Sequence, residues 1–353
     1  MKIELESSSL QHAIKKLLKV KKVSNLVVLE HVLVEALDRT ITITKTNLDV
    51  QVKINLYTGT VLENGKLLLS PDTLKTILKI KSGYITITDA QITAGNKTLK
   101  FDIMPLESFP ISIAPGGIQG FSTSQKELLE LLAVQYASSH EDNRPVFNAV
   151  FIDKEMFVAT DTHRLATKRI NFVNSLETPI IIPIATVKLL SDYLDKKSGN
   201  IVSCNVDDNN KHVTFILGDT EITSRLVEGT FPNFRSVMPD QFVAQVEVNT
   251  KEMLEELEFV QDTIKSNTNK TVLFKFENGE FTLVAKSVKN EIETTINSSS
   301  NITGDGINQI AFNHSFLVDA LKQVVADKIT MCFSSKFGPV RINDDIILPV
   351  RIG

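Results

Sequence analysis

Apolar residues follow two different spacings along this chain, and the two spacings alternate. Runs with apolar residues three and four positions apart begin near residues 10, 72, 124, 184, 250 and 314, each behind a helix-start signal. Short runs of alternating or β-branched residues lie between them, such as Thr40–Thr44, Tyr84–Thr88, Val213–Leu217 and Phe281–Ala285. The pattern predicts one unit, a helix with several short strands, repeated six times at a period of about sixty residues.

The residues at these starts are typical of helix N-termini. A side chain able to cap a helix precedes five of the helices and a proline opens the fourth: Ser9, Ser70, Ser124, Pro183, Asn249 and Asn313. Ser124 with Glu127 has the spacing of a capping box. The fourth and sixth helices are predicted over Ala185–Lys196 and Phe316–Asp327.

A unit with a single helix cannot bury the apolar stripe of that helix alone, so the units should pair. Three pairs give three similar α+β domains with antiparallel strands, which we predict at 1–119, 120–242 and 243–353. Turn residues cluster at both boundaries, as Pro115-Gly116-Gly117 and Met238-Pro239-Asp240. A chain of 353 residues is longer than the usual limit for a single hydrophobic core, which agrees with several domains.

The composition of the chain indicates its cellular compartment and the state of its two cysteines. The chain holds no apolar run of the roughly twenty residues that a membrane helix needs, and Met1-Lys2-Ile3-Glu4 leads directly into a strand pattern. We therefore expect a cytoplasmic protein. Cys204 and Cys332 are far apart in strand-like runs, which predicts two free buried thiols.

Charge is distributed unevenly along the chain. The net charge is −4, yet residues 1–119 carry 15 Lys+Arg against 11 Asp+Glu. The first helix pattern buries a stripe of five residues and leaves lysines outward, and further lysines follow on the second and fourth helices. The stripe is Leu10, Ala13, Ile14, Leu17 and Leu18, and the lysines are Lys15, Lys19, Lys22, Lys75, Lys79 and Lys188. Such a face is either an ordinary solvated surface or a contact for an anionic partner, which the repulsion between neighbouring lysines favours.

The segment Thr160-Asp161-Thr162-His163-Arg164-Leu165 places an acid, an imidazole and a guanidinium together. In an extended segment Asp161 could orient His163 as a general base, which is one interpretation. The other is that Asp161 and Arg164 stabilise a turn. The sequence lacks a nucleophile elbow and a Gly-rich phosphate loop, and its six histidines are scattered. We therefore expect neither catalysis nor a metal or other cofactor.

Three separated motifs resemble those of one family. Residues 160–165 resemble the Thr-Asp-Gly-His-Arg-Leu signature of bacterial DNA polymerase sliding clamps, the β subunits of the replicative polymerase. Residues 225–234 resemble the family segment Lys-Leu-Val-Asp-Gly-x-Phe-Pro-Asp-Tyr, and Leu348-Pro349-Val350-Arg351-Ile352 resembles its Met-Pro-Met-Arg-Leu end. Thr46-Asn47-Leu48-Asp49-Val50 and Phe109-Pro110 match the first domain. The resemblance covers the whole chain.

The resemblance implies a head-to-tail homodimer whose six domains close into a ring around double-stranded DNA. Such a clamp has no catalytic residues; it tethers the polymerase, the clamp loader and repair proteins through a peptide pocket between the second and third domains. Lysines on the helices would face DNA without reading its sequence, and Leu99 and Ile264 would lie at the dimer interface or simply in the core. The implied pocket residues are Phe147, Thr160, Thr162, His163, Arg164, Leu165, Pro232, Val237, Ile346, Leu348, Pro349, Val350 and Arg351.

The sequence departs from the family at a few of these positions. Thr162 stands in place of the glycine of the signature, which adds a β-branched side chain at the pocket edge. Ser236 and Pro145-Val146 replace an arginine and two tyrosines of some relatives. The alternative function is a nucleic-acid-binding protein of the same fold that forms no closed ring.

Overall fold

The computed structural model describes residues 1–81, 83–110, 117–141, 143–265, 270–277, 280–287, 290–296, 298–302 and 307–351. The turn predicted at Pro115-Gly116 and the terminal Ile352 lie outside these residues. The chain separates into two compact units, 1–130 with 171–228, and 131–170 with 229–353. Because these units do not follow the three predicted domains, the predicted boundaries remain a prediction.

Helices form where the sequence predicts them. Those in the described residues are α1 (Ser7–Leu17), α2 (Pro71–Ile77), α3 (Gln125–Leu132), α4 (Ile184–Tyr193), α5 (Thr250–Ile264) and α6 (His314–Leu321). Ser70 Oγ accepts from the Thr73 amide at 3.2 Å, with Pro71 in the first turn. Asn249 Oδ1 accepts from the Lys251 and Glu252 amides, and Asn313 Oδ1 accepts from the Ser315 amide. These caps satisfy amides that have no partner inside the helix.

Several local predictions about the helices are wrong. α1 begins at Ser7, so Ser9 lies inside the helix and does not cap it. Leu18 follows the last helical residue and is 48% exposed, because the stripe ends with the helix at Leu17. Lys19 and Lys22 likewise lie beyond α1, and Lys79 lies beyond α2, which ends at Ile77. α4 and α6 stop three and six residues before the predicted Lys196 and Asp327.

Strands account for most of the remaining regular structure. The first ten are β1 (Lys2–Glu6), β2 (Val32–Leu37), β3 (Thr40–Thr46), β4 (Val50–Leu56), β5 (Gly59–Glu63), β6 (Gly65–Leu69), β7 (Tyr84–Thr88), β8 (Gln91–Ala94), β9 (Lys97–Lys100) and β10 (Ile118–Ser124). Next come β11 (Ala149–Ile152), β12 (Met156–Thr160), β13 (Arg164–Arg169), β14 (Ile180–Pro183), β15 (Ile201–Val206), β16 (His212–Leu217) and β17 (Thr220–Arg225). The last are β18 (Ala244–Asn249), β19 (Thr271–Glu277), β20 (Glu280–Lys286), β21 (Glu291–Ile296), β22 (Ser298–Ile302), β23 (Gln309–Asn313), β24 (Lys328–Phe333), β25 (Val340–Ile342) and β26 (Asp345–Ile347). The four runs that the alternation predicts lie in β3, β7, β16 and β20.

Antiparallel sheets build both units. The first unit holds the strand orders β5-β1-β7-β8-β9 and β10-β15-β16-β17-β4-β3-β2-β6. The second holds β11-β12-β13-β26-β25-β24-β18-β22 and β21-β20-β19-β23. Two of the strand pairs that join distant segments are β17 with β4, where Thr220 lies opposite Ile54, and β26 with β13, where Ile346 lies opposite Leu165. The predicted α+β class is confirmed.

Apolar faces of the helices pack onto these sheets. Leu10, Ala13, Ile14 and Leu17 of α1 are each at most 2% exposed. In the second unit, α5 and α6 bury residues such as Leu257 and Leu317 against Phe274 and Phe312 of the sheet. Cys204 and Cys332 are both buried free thiols, as predicted. No helix in the described residues is long and apolar enough to cross a membrane.

Candidate functional site

The loop between β12 and β13 is held by hydrogen bonds within the motif. Asp161 Oδ1 accepts from the amides of His163 and Arg164, both at 2.9 Å. Thr160 Oγ1 donates to the Arg164 carbonyl at 2.6 Å and accepts from the Thr162 amide at 3.1 Å. Short side chains that bond to nearby backbone in this way form tight turns. The interpretation that the acid stabilises a turn is therefore confirmed.

Thr162 occupies the position in this turn that a glycine would occupy most easily. Its φ is 77°, in the left-handed region where a β-branched side chain is strained. The bond from the Thr162 amide to Thr160 Oγ1 stabilises this backbone conformation, and the exposed Thr162 side chain can be accommodated in solvent. The substitution of the family's glycine thus adds backbone strain as well as a side chain at the site.

Arg164 is the most heavily contacted polar side chain of the motif and is only 8% exposed. Its Nε donates to Asp161 Oδ2 at 2.9 Å, and its Nη1 donates to Asp319 Oδ2 at 2.7 Å. The guanidinium carbon lies 4.4 Å from the ring centroid of Phe316 and 5.4 Å from that of Tyr136. Two carboxylates and two aromatic rings compensate the buried charge. Arg164 therefore links the hairpin to α6, which carries Phe316 and Asp319.

The C-terminal strand lies directly beside this hairpin. Leu165 is opposite Ile346, and the Leu348 amide donates to the His163 carbonyl at 2.9 Å. Farther along, the Val350 amide donates to the Ala311 carbonyl at 2.8 Å, next to the start of α6. The sequence motifs at 160–165 and 348–351, nearly two hundred residues apart, thus form one continuous surface.

A buried carboxylate fixes the start of β26. Asp345 accepts from the Thr167 amide at 3.0 Å and from the Tyr136 hydroxyl at 2.8 Å. Burial raises the pKa of Asp345 above its usual range, although the bond from Thr167 opposes that rise. Burial also raises the pKa of Tyr136, and the neighbouring Asp345 carboxylate adds to this effect. Tyr136 therefore remains a donor at neutral pH and touches both Asp345 and Arg164.

An aromatic cluster anchors the third motif segment. Phe231 stacks on Phe151 of β11 with ring centroids 4.7 Å apart, and Phe234 meets the same ring at 6.0 Å. Phe147, just before β11, meets Phe231 edge-on at 6.5 Å. Gly229 has φ 137°, and a side chain there would meet Val146 at 2.9 Å, so this glycine is required for the approach.

Strand register brings these pieces to one edge of the sheet. In the register of β11 and β12, Phe151 lies opposite Val158, so the start of β11 lies beside the end of β12. Phe147, the hairpin and Leu348 therefore share an edge. Thr160, Arg164, Leu165 and Ile346 are buried beneath it. The remaining pocket residues of the prediction are exposed or half-buried: Phe147, Thr162, His163, Pro232, Val237, Leu348, Pro349, Val350 and Arg351.

The geometry does not form a carboxylate–imidazole relay. Asp161 accepts from the backbone amide of His163, while the His163 ring lies near Phe316, with ring centroids 6.5 Å apart. The second Asp161 oxygen is bonded to Arg164. The general-base interpretation is therefore wrong, because the acid holds the backbone and Arg164 rather than the imidazole.

Several residues of the site are absent from the sequence prediction. Tyr136, Phe316, Asp319 and Asp345 surround Arg164 or the start of β26. No local sequence signal pointed to these partners, because the burial of Arg164 is visible only in the structure. Their distance along the chain, 155 residues between Arg164 and Asp319, hid the pairing.

The predicted DNA-facing lysines differ in how free they are. Lys19 donates to the Asp192 carbonyl at 2.6 Å, Lys22 pairs with Glu30, and Lys75 pairs with Asp72 at 2.9 Å. Lys15, Lys79 and Lys188 are exposed, and no side-chain partner is seen for them among the described residues. Carboxylates thus offset the charges of Lys22 and Lys75, whereas the bond of Lys19 is to a neutral carbonyl.

The two predicted interface positions also differ. Leu99 is half-buried on β9, the end strand of its sheet in the described residues, and lines a cavity of about 250 Å³ with Thr76, Lys79 and Ile92. Ile264 is 1% exposed within the core of the second unit. Its placement favours the alternative that Ile264 is a core residue.

Comparison with known proteins identifies the family of this fold. The family models of the DNA polymerase III beta subunit match residues 123–233 as its central domain and 235–346 as its C-terminal domain. The beta sliding clamp of Haemophilus influenzae is 26% identical over 348 residues, 93% of each chain. Among solved structures, the DNA polymerase sliding clamp of Bacillus subtilis matches all of both chains with a TM-score of 0.92 at 20% identity. A Bartonella birtlesii sliding clamp bound to griselimycin also matches all of both chains, with a TM-score of 0.88 at 24% identity. Together the two family models cover well over half of the sequence, and this chain belongs to the DNA polymerase III beta subunit family, the bacterial beta sliding clamps.

Proposed function

We propose that this protein is a DNA sliding clamp that encircles duplex DNA as a head-to-tail homodimer. It holds the replicative polymerase, the clamp loader and repair proteins on DNA in the bacterial cytoplasm, through short peptides. It carries out no catalysis, in keeping with a family of processivity factors. The proposal rests on strand pairing. Twice in the chain, a strand that follows a tight hairpin pairs with a strand from a distant segment, and two end strands are left that could pair in the same way between two chains.

The two junctions within the chain are β4 with β17 and β13 with β26. In each, the strand after a tight hairpin pairs with a strand from a later segment. A third hairpin joins β20 and β21, where Ser287 Oγ accepts from the Asn290 amide at 3.0 Å. β21 and β9 are end strands in the described sheets. Pairing β21 of one chain with β9 of another would repeat the junction and close a ring of two chains.

Charge supports this pairing at the seam. β21 carries Glu291 and Glu293, which form exposed pairs with Lys286 and Lys275 that solvent screens, whereas β9 carries Lys97 and Lys100. Half-buried Ile292 lies between the two acids and half-buried Leu99 beside a lysine, so the apolar side chains could meet inside a charged rim. Ile292 is therefore a better interface candidate than Ile264. The alternation of acidic and β-branched residues in β21 was the sequence signal for it.

Solution mass tests the dimer. Light scattering should give about twice the chain mass of 39.2 kDa. Leu99→Glu should give a monomer, because a carboxylate would face the acidic edge of the partner. Leu37→Glu is the matched control, since Leu37 is an exposed leucine at the end of β2. A wild-type monomer at working concentrations would exclude the closed ring.

The peptide pocket is proposed at the sheet edge that joins Phe147, the β12–β13 hairpin and residues 348–351. Buried Leu165 and Ile346 form an apolar base, and exposed His163 and Leu348 stand at the rim. A mostly apolar surface with a few fixed polar groups suits leucine and phenylalanine side chains of a short peptide. We propose that griselimycin, which the Bartonella birtlesii relative binds, takes the same surface here.

Competition binding tests the pocket. A fluorescein-labelled peptide containing leucine and phenylalanine should bind the wild type and be displaced by griselimycin. Leu348→Asp should weaken the binding of both ligands by about tenfold or more, because it places a charge where an apolar side chain of the ligand would be buried. Val173→Asp changes a valine that is 84% exposed elsewhere and serves as the control. Equal binding by the two variants would contradict this location.

DNA contact is proposed through Lys15, Lys79 and Lys188. Contacts with phosphates alone suit a ring that must slide, because they carry no sequence information. After loading by a clamp loader, the protein should remain on nicked circular DNA and leave linear DNA from its ends. Equal loss from circular and linear DNA would favour the alternative, a nucleic-acid-binding protein of this fold without a closed ring.

A further inference from the structure

The hairpin between β3 and β4 repeats the hydrogen bonds of the hairpin between β12 and β13. Thr46 Oγ1 donates to the Val50 carbonyl at 3.0 Å and accepts from the Leu48 amide at 3.1 Å. Asn47 Oδ1 accepts from the amides of Asp49 and Val50 at 3.1 and 2.9 Å. Leu48 has φ 81°, close to the 77° of the residue after Asp161. The turn that shapes the candidate pocket thus occurs twice.

The segment beside this hairpin also has a counterpart. The Arg225 amide donates to the Asp49 carbonyl at 2.9 Å, the distance found between the Leu348 amide and the His163 carbonyl. Two residues later, the Val227 amide donates to the Ile181 carbonyl at 2.8 Å. The Val350 amide does the same with Ala311 at 2.8 Å. Residues 225–228 are therefore the structural equivalent of residues 348–351.

An exposed apolar segment lies on the other side of the β3–β4 hairpin. Asn47 Nδ2 donates to the Lys21 carbonyl at 2.8 Å, and buried Lys45 donates from Nζ to the carbonyls of Leu29 and Glu30, both at 3.1 Å. These bonds hold residues 21–30 against the hairpin. Within that segment, Val23, Leu26 and Val27 are 61%, 52% and 61% exposed. Three large apolar side chains exposed within five residues indicate a contact surface rather than isolated surface residues.

We propose that the β3–β4 hairpin, residues 23–27 and residues 225–227 form a second peptide-docking surface, distinct from the pocket at the chain's C-terminus. Its occupant is a short partner peptide with apolar side chains and at least one carboxylate. The apolar side chains lie on Val23, Leu26 and Val27 and against the half-buried Leu226 and Val227. The proposal extends the peptide-binding function proposed above to a second position in the same chain.

Charge at the rim selects an acidic peptide. Lys21 and Arg225 are exposed beside the apolar side chains and have no side-chain partner among the described residues, whereas residues 18–29 contain no acid. An acidic residue on the peptide would complement this rim. Duplex DNA is the less suitable occupant, because the exposed valine and leucine side chains at the centre of this surface can bury against apolar peptide side chains but form no bond with phosphates.

Methyl NMR on the intact protein tests the proposal at both surfaces at once. The probe is an acetylated, amidated Asp-Leu-Asp-Leu-Phe peptide, titrated into protein labelled at leucine and valine methyls. We expect shifts at Leu26, Val27 and Val227 as well as at Leu348 and Val350. In a Leu348→Asp background the shifts at Leu26 and Val27 should persist. Adding Val27→Asp should then weaken the remaining binding about tenfold, whereas adding Val173→Asp should not.

The outcomes separate this proposal from the function it rests on. Shifts confined to Leu348 and Val350 would overturn the second surface and leave the C-terminal pocket intact. Shifts at neither surface would overturn both. A short DNA duplex serves as the second probe: if DNA shifts the Val27 methyls and the peptide does not, the surface belongs to DNA and the proposal is wrong.

Discussion

Removing the Arg164 guanidinium should loosen the candidate pocket more than any other single change in the motif. Arg164→Met keeps an apolar stem but deletes the bond to Asp161, a carboxylate with 15% of its side chain exposed. One charge-assisted hydrogen bond of this kind contributes about 1.5–3 kcal/mol. The pair with Asp319 adds at most about 1 kcal/mol, since that side chain is 43% exposed and screened by solvent.

The loss of stacking on Phe316, at 4.4 Å, adds about 1 kcal/mol to the cost of the substitution. Part of this cost is offset because the variant no longer has to bury a charged guanidinium. We expect a net cost of about 3 kcal/mol, close to a hundredfold change in local opening. Hydrogen exchange should show it at three amides: His163 and Arg164, which bond to Asp161, and Leu348, which bonds to His163. Exchange reports local opening directly, which suits a chain of several units that need not unfold in one step.

Arg164→Lys separates charge from geometry. Lysine retains the charge but cannot donate to Asp161 and Asp319 in the same planar arrangement, so we expect about half of the effect. Asp319→Asn should cost under about 1 kcal/mol alone and nearly nothing more in the Arg164→Met background. The reasoning is refuted if Arg164→Met leaves exchange of the three amides unchanged, or if Arg164→Lys behaves as the wild type.

Three further predictions concern backbone strain, pH and capping. Thr162→Gly should relieve backbone strain at φ 77°, and the greater freedom of the unfolded chain should offset part of this gain. We expect the free energy of unfolding, measured by urea melts followed by circular dichroism, to rise by about 0.5–1 kcal/mol. A lower free energy of unfolding would contradict the strain argument. Burial lowers the pKa of His314, whose Nε2 donates to the Leu257 carbonyl at 2.8 Å. The contribution of neutral His314 to stability is therefore complete above 6.5, its pKa in the unfolded chain, and is lost as pH falls through the lower pKa of the folded state. Melts from pH 7.5 to 5 should show this loss, and His314→Gln should flatten it. Ser70→Ala should cost about 1 kcal/mol by deleting a cap, whereas Ser9→Ala should cost nearly nothing because Ser9 caps no helix; equal effects would contradict the cap assignment.

Local features of this fold could be predicted from the sequence because their causes are local. A cap such as Ser70 or Asn249 and the helix it opens are a few residues apart. Helix ends were less predictable, since α6 stops at Leu321 although neither glycine nor proline follows it closely in the sequence. Alternation placed strands, but it could not place their partners.

The candidate site divides in the same way. The turn at Asp161 could be predicted, since its bonds reach two and three residues along the chain. The surroundings of Arg164 could not, because Phe316 and Asp319 come from a helix 155 residues away. Resemblance supplied the C-terminal wall of the site, which no rule of spacing connects to the hairpin. The duplicated turn at Asn47 became visible only through its hydrogen bonds.

Because both native cysteines are buried, an introduced surface cysteine could be labelled selectively. Cys204 is fully enclosed and burial raises the pKa of its thiol, and Cys332 is 6% exposed. Because both side chains are buried, neither native thiol is accessible to a maleimide or to an oxidant while the protein is folded. A cysteine introduced on β9 and another on β21 would therefore be the reactive pair, and crosslinking between them would report when a ring is open or shut.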